Sequence, residues 1–236
     1  MRIPARLLVA AAALLFAVSA AAAKVPGRVE IRYQVLFGSL SIGEGYDVFE
    51  HNGSSYKLTS ESKTAGIAAL IYGLNVTRVS TGVITARGLR PDSYDEIRNG
   101  KTKRRVRFDW KQKKAELFDG VNTQTVDLPE NTWDMASFGY SFAFFPPTSA
   151  QMDLFLTDGR RVSPYKFAVL EKERIDTELG SMDTVHVKKV QRPDDPRAFD
   201  VWLAPDRYYA PVRIRFTEKD GTAFDSVATQ ISVSDR

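Results

Sequence analysis

Five Asn-Gly or Asp-Gly pairs punctuate this chain: Asn52-Gly53, Asn99-Gly100, Asp119-Gly120, Asp158-Gly159 and Asp220-Gly221. Such pairs tolerate the positive φ angles of tight turns whose twist matches that of antiparallel strands. Between them run segments rich in valine, isoleucine, threonine and aromatics. In 28–37, Val29, Ile31, Tyr33, Val35 and Phe37 alternate with Arg28, Glu30, Arg32, Gln34 and Leu36. A period of two with one polar face is the mark of a half-buried strand. Likewise Arg104, Val106, Phe108 and Trp110 face one way, and Lys103, Arg105, Arg107 and Asp109 the other. Further strands are expected after the Gly38-Ser39 turn, at 56–63, 76–86 and 91–97, and at 115–118, where a hairpin partner returns. Others follow at 121–128, 152–157, 161–171, 183–191, 198–204, 211–218 and 222–233. The fold class that results is mainly β: an antiparallel, strongly curved sheet forming a half-open or closed barrel, with one or two short helices.

Two segments break the alternation. The stretch 64–74 is apolar without strict period two, and reads as a short helix or a hydrophobic connector. The stretch 132–145 ends at Pro146-Pro147 and offers Thr132 or Asp134 as a helix cap. Within it Met135, Phe138 and Phe142 fall on one helical face, which suits a helix plugging one mouth of the sheet. No glycine-, serine- or proline-rich block divides the chain and no fixed-period repeat occurs, so residues 24–236 read as a single domain.

Residues 1–23 read as a bacterial secretory signal. Arg2 and Arg6 precede an apolar stretch over 7–18, and Ala20 to Ala23 supply small residues before Lys24. The apolar stretch is short for a bilayer span, which needs roughly 20 residues. Without a twin arginine the Sec route is expected, with cleavage after Ala23. Removing 23 of the 236 residues leaves 213, and the loss of two arginines brings the formal charge from +4 to +2. A balance so near neutral makes no case for nucleic acid. Cysteine is absent, so no disulfide supports the fold and no thiol is available for lipidation. A periplasmic product that is not a lipoprotein, with no membrane span after cleavage, is expected.

Motifs for cofactors and catalysis are missing. Gly43-Glu44-Gly45 lacks the third glycine and following helix of a dinucleotide site, and Gly100-Lys101-Thr102 lacks the upstream glycine of a phosphate loop. The only histidines, His51 and His186, read as isolated surface residues, too few for a zinc site or a serine hydrolase. No metal and no cofactor is therefore expected. The acids Asp194, Asp195 and those of 171–178 fall in expected turns and exposed faces rather than in a catalytic pair. Two features remain. The basic run 98–114, with Lys103, Arg104, Arg105 and Arg107 at its centre, suits a solvated hairpin edge or a contact with anionic lipid headgroups or an acidic envelope partner. The apolar run 66–74 and the aromatic run 138–145 suit either barrel-end packing or a cavity for an acyl chain, lined by Ile67, Leu70, Ile71, Tyr72, Phe138 and Phe142.

The C-terminal third carries a recognisable pattern. The run Asp200-Val-Trp-Leu-Ala-Pro-Asp-Arg-Tyr-Tyr-Ala-Pro-Val-Arg-Ile-Arg215 resembles a widespread family of exported proteobacterial proteins of unknown function. That family shows a Trp-Leu-x-x-Asp strand end, a short turn, and Pro-Val-Arg-Ile before a closing hairpin. Agreement extends to the glycine-bearing strand pair 33–46, to 66–72, to Leu89-Arg90-Pro91, to Asp134 with Ser137, and to 173–190 around Gly180. Phe138-Gly139-Tyr140 departs from it, where relatives carry a bulkier apolar-aromatic run. The resemblance implies a periplasmic, partly closed antiparallel barrel similar in scaffold to the carriers that move lipoproteins to the outer membrane, and it supplies no catalytic residues. On that scaffold Trp202 is expected to pack across a barrel end, Asp206 to cap the turn and Pro211 to pre-set the returning strand. The function expected is a non-catalytic binding or carrier module for an apolar or lipid-like ligand. The alternatives are an envelope interaction module using the basic hairpin and, last, a hydrolase.

Overall fold

The computed structural model describes residues 24–71 and 73–235, so residues 1–23, expected as a secretory signal, lie outside the described residues. The first arm of the sheet runs β1 (Arg28–Phe37), β2 (Leu40–His51), β3 (Ser55–Thr64), β4 (Asn75–Thr85), β5 (Gly88–Arg98), β6 (Lys101–Asp109), β7 (Lys114–Phe118) and β8 (Thr123–Asp127). A helix, α1 (Gly66–Ile71), links β3 to β4. The chain then passes through the short β9 (Thr132–Asp134) and α2 (Ser137–Ser141) into the second arm. That arm comprises β10 (Gln151–Thr157), β11 (Val162–Thr177), β12 (Gly180–Lys189), β13 (Ala198–Ala204), β14 (Ala210–Thr217) and β15 (Ala223–Ser234).

All fifteen strands form one sheet, each arm a meander, joined at the centre by β1 pairing antiparallel with β15. Among the described residues only β9 and β10 run parallel. The outermost strands, β8 and β9, do not pair; β9 packs against β5, so the sheet coils past itself instead of closing. The turn pairs account for this path. Each of the five glycines sits at positive φ in a connection between strands. At Asn99-Gly100 both residues have positive φ. At the other four the asparagine or aspartate keeps negative φ and its carboxyl or amide oxygen accepts backbone N–H groups beyond it, as Asp119 does from Val121 and Asn122. A side-chain oxygen mimicking a backbone turn is what these residues supply.

The alternating strands define an inner and an outer face. Inside, α2 is wholly buried, with Phe138 and Phe142 inaccessible to solvent. Phe138 meets the rings of Trp133, Phe142, Phe167 and Phe199 at centroid distances of 4.7–5.9 Å. The helix is shorter than the sequence pattern suggests, because Thr132–Asp134 pairs with β10 before the helix begins. The cap position of the helix is Ala136, and Asp134 serves its N-terminus from two residues earlier. One carboxylate oxygen accepts the N–H groups of Ala136 and Ser137 at 2.9 and 2.8 Å. The other accepts the hydroxyls of Ser80 and Ser137 at 2.6 and 2.9 Å, and Ser80 also bonds Tyr56. This buried chain pins the plug to β3 and β4.

Four expectations need correction. His186 is not a surface residue; it is buried, its Nε2 2.8 Å from Asp200 and its Nδ1 2.8 Å from Glu173. Trp202 does not cross a barrel end. It lies on the outer face, opposite in alternation to Val201 and Leu203, stacked 4.2 Å from the His186 ring with the Arg213 guanidinium 4.9 Å from its own centroid. The long β11–β12 hairpin contributes Ile175 and Met182 to the buried cluster that holds Trp202. Asp206 is exposed in a 3₁₀ turn, Pro205–Arg207, whose cap position is Ala204 and carries no side-chain hydrogen bond. Asp195 is buried rather than exposed, held by Lys189 at 2.9 Å and Arg197 at 2.7 Å. Pro211 is the second residue of β14, after Ala210; its carbonyl accepts the Tyr33 hydroxyl at 2.8 Å and its ring backs onto Gly139.

Candidate functional site

Following the meander fixes which connections share an end. The β2–β3, β4–β5, β6–β7 and β13–β14 turns lie at one end, termed upper; the β1–β2, β5–β6, β7–β8, β10–β11 and β14–β15 turns and α1 lie at the other, termed lower. The plug α2 sits between them, and each end opens into a cleft. The upper cleft encloses about 810 Å³ beside Leu89, Trp110, Leu128, Trp133, Phe145 and Leu154. The lower cleft encloses about 510 Å³ and reaches inward to Tyr33, Asp47 and Tyr140.

The walls of the lower cleft differ in kind. One is apolar, built from inward residues of the second arm: Leu156, Phe199, Val201, Ile214 and Phe216. It continues outward along a ladder at the strand ends, where Phe216 pairs with Phe224, Phe224 with Phe37, and Phe37 with Leu40. The Phe37 and Phe224 rings lie 5.7 Å apart, and Phe37, Leu40 and Phe224 are 47%, 63% and 37% exposed. Of ten large apolar side chains exposed among the described residues, seven lie at this end: those three with Leu70, Leu74, Val121 and Val190. Monomeric proteins scatter such residues; a concentration at one end marks a contact surface.

The opposite wall is cationic, built from inward positions of β4, β5 and β6. The Glu96 side chain, 3% exposed, accepts from Arg78 Nε at 3.0 Å and Arg98 Nε at 2.9 Å, with Arg104 Nη1 at 3.9 Å. Arg104 Nη1 also bonds the Asp158 carboxylate and carbonyl at 3.2 and 3.3 Å, and Arg160 Nε reaches the same carboxylate at 3.2 Å. These bonds bridge β6 to the β10–β11 turn across the unpaired seam. Gly159 has a φ of +88°, and a Cβ there would stand 2.7 Å from Arg104 Cβ, so glycine serves both the turn and the arginine's approach. Deeper in, burial raises the Asp47 carboxyl from 3.8 to about 6, against hydrogen bonds from Ser60 and Tyr140 and the charge of Arg78. A buried carboxyl shifted this far in a cleft is a feature of functional sites.

The residues expected to form one acyl cavity are not brought together. Phe138 and Phe142 are close-packed core, while Leu70 is 88% exposed on α1, which packs against β2 and β3 rather than α2. Tyr72 lies outside the described residues, as do the side chains of Ile67 and Ile71 on the same helix. The basic group also divides: Arg104 points inward, whereas Lys103, Arg105 and Arg107 face outward, and Asp95 holds both Arg105 and Arg107 at 3.0 Å. Sequence reasoning passed over Arg78 and Glu96, and took Arg98 only as the start of the basic run 98–114. Their signal was parity, since charged residues stand at the inward positions of strands whose neighbours Ser80 and Tyr94 are buried.

Residues 32–227 match the model of a family described as protein of unknown function (DUF3108). The chain belongs to that family. No curated protein matches its sequence. Among solved structures, the DUF3108 chain is similar to a β-barrel-like protein of domain of unknown function DUF1849 from Brucella abortus. The match has a TM-score of 0.58 at 8% identity, and covers 89% of this chain and 99% of that one. At that identity the likeness is one of fold, and it agrees with a large, curved, unclosed β sheet.

Proposed function

We propose that this DUF3108 protein is an exported, non-catalytic binding or carrier module of the cell envelope, and that it takes an amphiphilic, lipid-like ligand into its lower cleft. The observation that carries this reading is the pairing of an apolar wall, extended to an exposed lip at Phe37, Leu40 and Phe224, with a facing wall of arginines. A volume of about 510 Å³ falls within the range of small-molecule sites, roughly 300–1,000 Å³. The secretory pattern of 1–23 supports the periplasm as its place of work. Among the described residues no helix is long and apolar enough to cross a membrane.

Magnitudes favour an amphiphile over a plain hydrocarbon. Burying a methylene yields roughly 0.8 kcal/mol, so an acyl chain of about a dozen carbons gains near 10 kcal/mol. Association costs on the order of 4–15 kcal/mol. The two nearly offset, so affinity is decided by what the polar end meets, and here it meets guanidinium groups. The outer face of the basic hairpin is less well suited to an acidic partner, because Asp95 neutralises part of its charge. The test is native mass spectrometry of protein purified gently from the envelope fraction, followed by titration of the delipidated protein with short-chain phospholipid. Adducts of lipid mass and saturable binding that Ile214→Glu abolishes are expected. An adduct-free spectrum with no saturable binding would rule the reading out.

A further inference from the structure

We infer that the arginine wall of the lower cleft is a binding site for a phosphate-type dianion, with Arg78, Arg98 and Arg104 as its donors. As the headgroup pocket of a lipid this inference rests on the amphiphile reading; as an anion site it stands on its own. Three guanidinium groups lie within 4 Å of one carboxylate, that of Glu96. Arg104 shares a second carboxylate, Asp158, with Arg160. Four cations thus meet two anions. The same excess of two holds for the whole lining, where Arg78, Arg98, Arg104, Arg160, Arg161, Lys189 and Arg197 face Asp47, Glu96, Asp158, Asp195 and Glu218.

Charge and shape both select the ligand. A phosphate monoester carries about −1.5 to −2 charges near pH 7 and presents three acceptor oxygens. That matches the surplus and offers one oxygen to each of three converging guanidiniums. A carboxylate has two oxygens and one charge, and Glu96 already fills that role. Guanidinium forks hold phosphate with paired N–H donors, which lysine cannot do. The apolar wall stands across the same cleft, so a phosphate esterified to an acyl-bearing group is accommodated as readily as a free one.

The experiment is calorimetric titration of the delipidated, signal-processed protein with three probes: dihexanoyl phosphatidate, neutral dihexanoylglycerol and inorganic phosphate. Phosphatidate is expected to bind roughly ten- to a hundredfold more tightly than dihexanoylglycerol, the worth of one or two charge-assisted hydrogen bonds. Arg98→Gln, at a partly exposed position, is expected to erase that gap and leave dihexanoylglycerol binding unchanged. Glu96→Gln keeps the side-chain shape, removes the competing charge and is expected to tighten phosphatidate, a shift of opposite sign that loss of folding cannot imitate. Arg87→Gln at the upper end is expected to change nothing. Inorganic phosphate bound in an Arg98-dependent way, with neither lipid bound, supports the anion site and overturns the amphiphile reading. Equal binding of both lipids, insensitive to Arg98→Gln, overturns the anion site and leaves the amphiphile reading intact. Binding of none of the three overturns both.

Discussion

The two ends of this barrel-like sheet carry clefts of opposite character on either side of one helix. The upper cleft is the larger, about 810 Å³ against 510 Å³, and has two tryptophans in its lining. Its charges, however, stand in water: Arg87 and Lys113 share Glu130 at 3.9 and 3.7 Å, with all three side chains more than 70% exposed. Such pairs are screened and contribute little. One of its two indoles is already used, as Trp110 donates to the Pro91 carbonyl at 2.8 Å. At the lower end Glu96 and Arg104 are 3% and 14% exposed, and cations outnumber anions. The contrast teaches that volume and apolar lining do not by themselves mark the site. A surplus of cations gathered around the buried Glu96 and facing an apolar wall points to a missing partner, whereas the upper cleft reads as a seam where the loop after α2 rests between the arms.

The largest effect follows from removing the wall between the clefts. Phe138→Ala deletes a fully buried ring contacting four others, and a loss of about 3–5 kcal/mol is expected in urea denaturation. The second effect belongs to the lower end alone. With Asp47 at about 6 when folded and 3.8 when unfolded, the folded state holds a proton between those values that the unfolded chain has lost. Stability therefore falls as pH rises from about 4 to 6, then levels off with a deficit of about 3 kcal/mol. Asp47→Asn is expected to recover most of that deficit at pH 7, to change little at pH 4, and to flatten the profile between. A profile for the variant as steep as the parent's would show that another group is responsible.

Much of this architecture was legible in the residues. Period two placed Val29, Ile31 and Tyr33 inside and Arg105 and Arg107 outside, and the five glycine pairs marked five of the connections. Asp134 was legible as serving the helix N-terminus because its role is local, bonding N–H groups two and three residues on. What escaped depends on strands far apart in sequence. Glu96 gathers arginines from β4, β5 and β6, and Asp158 closes onto Arg104 from 54 residues away. His186 looked like an exposed alternate, and its burial comes from the Trp202 ring stacked on it and from Asp200, both on the neighbouring β13. The apolar residues assigned to one cavity share a composition but not a place, because α1 packs at the lower end against β2 and β3 while α2 is buried inside the sheet.

A smaller effect distinguishes the two sets of charges. Arg104→Gln removes a nearly buried donor from Asp158 and from the seam, and is expected to lower stability by about 2 kcal/mol, little altered by salt. Arg87→Gln at the upper rim is expected to stay within about 0.5 kcal/mol. Equal losses from the two would erase the distinction between the ends.

The smallest stability change should accompany a clear functional one. Phe37 and Leu40 are already 47% and 63% exposed, so replacing each with serine removes little buried area. The Phe37→Ser, Leu40→Ser double variant is expected to melt within a few degrees of the parent. If the lip is the way into the cleft, the same variant should take up lipid from vesicles several-fold more slowly, since an apolar chain leaving a bilayer has lost the surface it first meets. Equilibrium affinity for a short soluble phospholipid should barely move, because Ile214 and Phe216 inside the cleft are intact. Unchanged uptake kinetics would mean that the exposed ladder does not serve entry. The ladder would then be better explained as a surface for another protein, while the arginine wall behind it kept its own independent test.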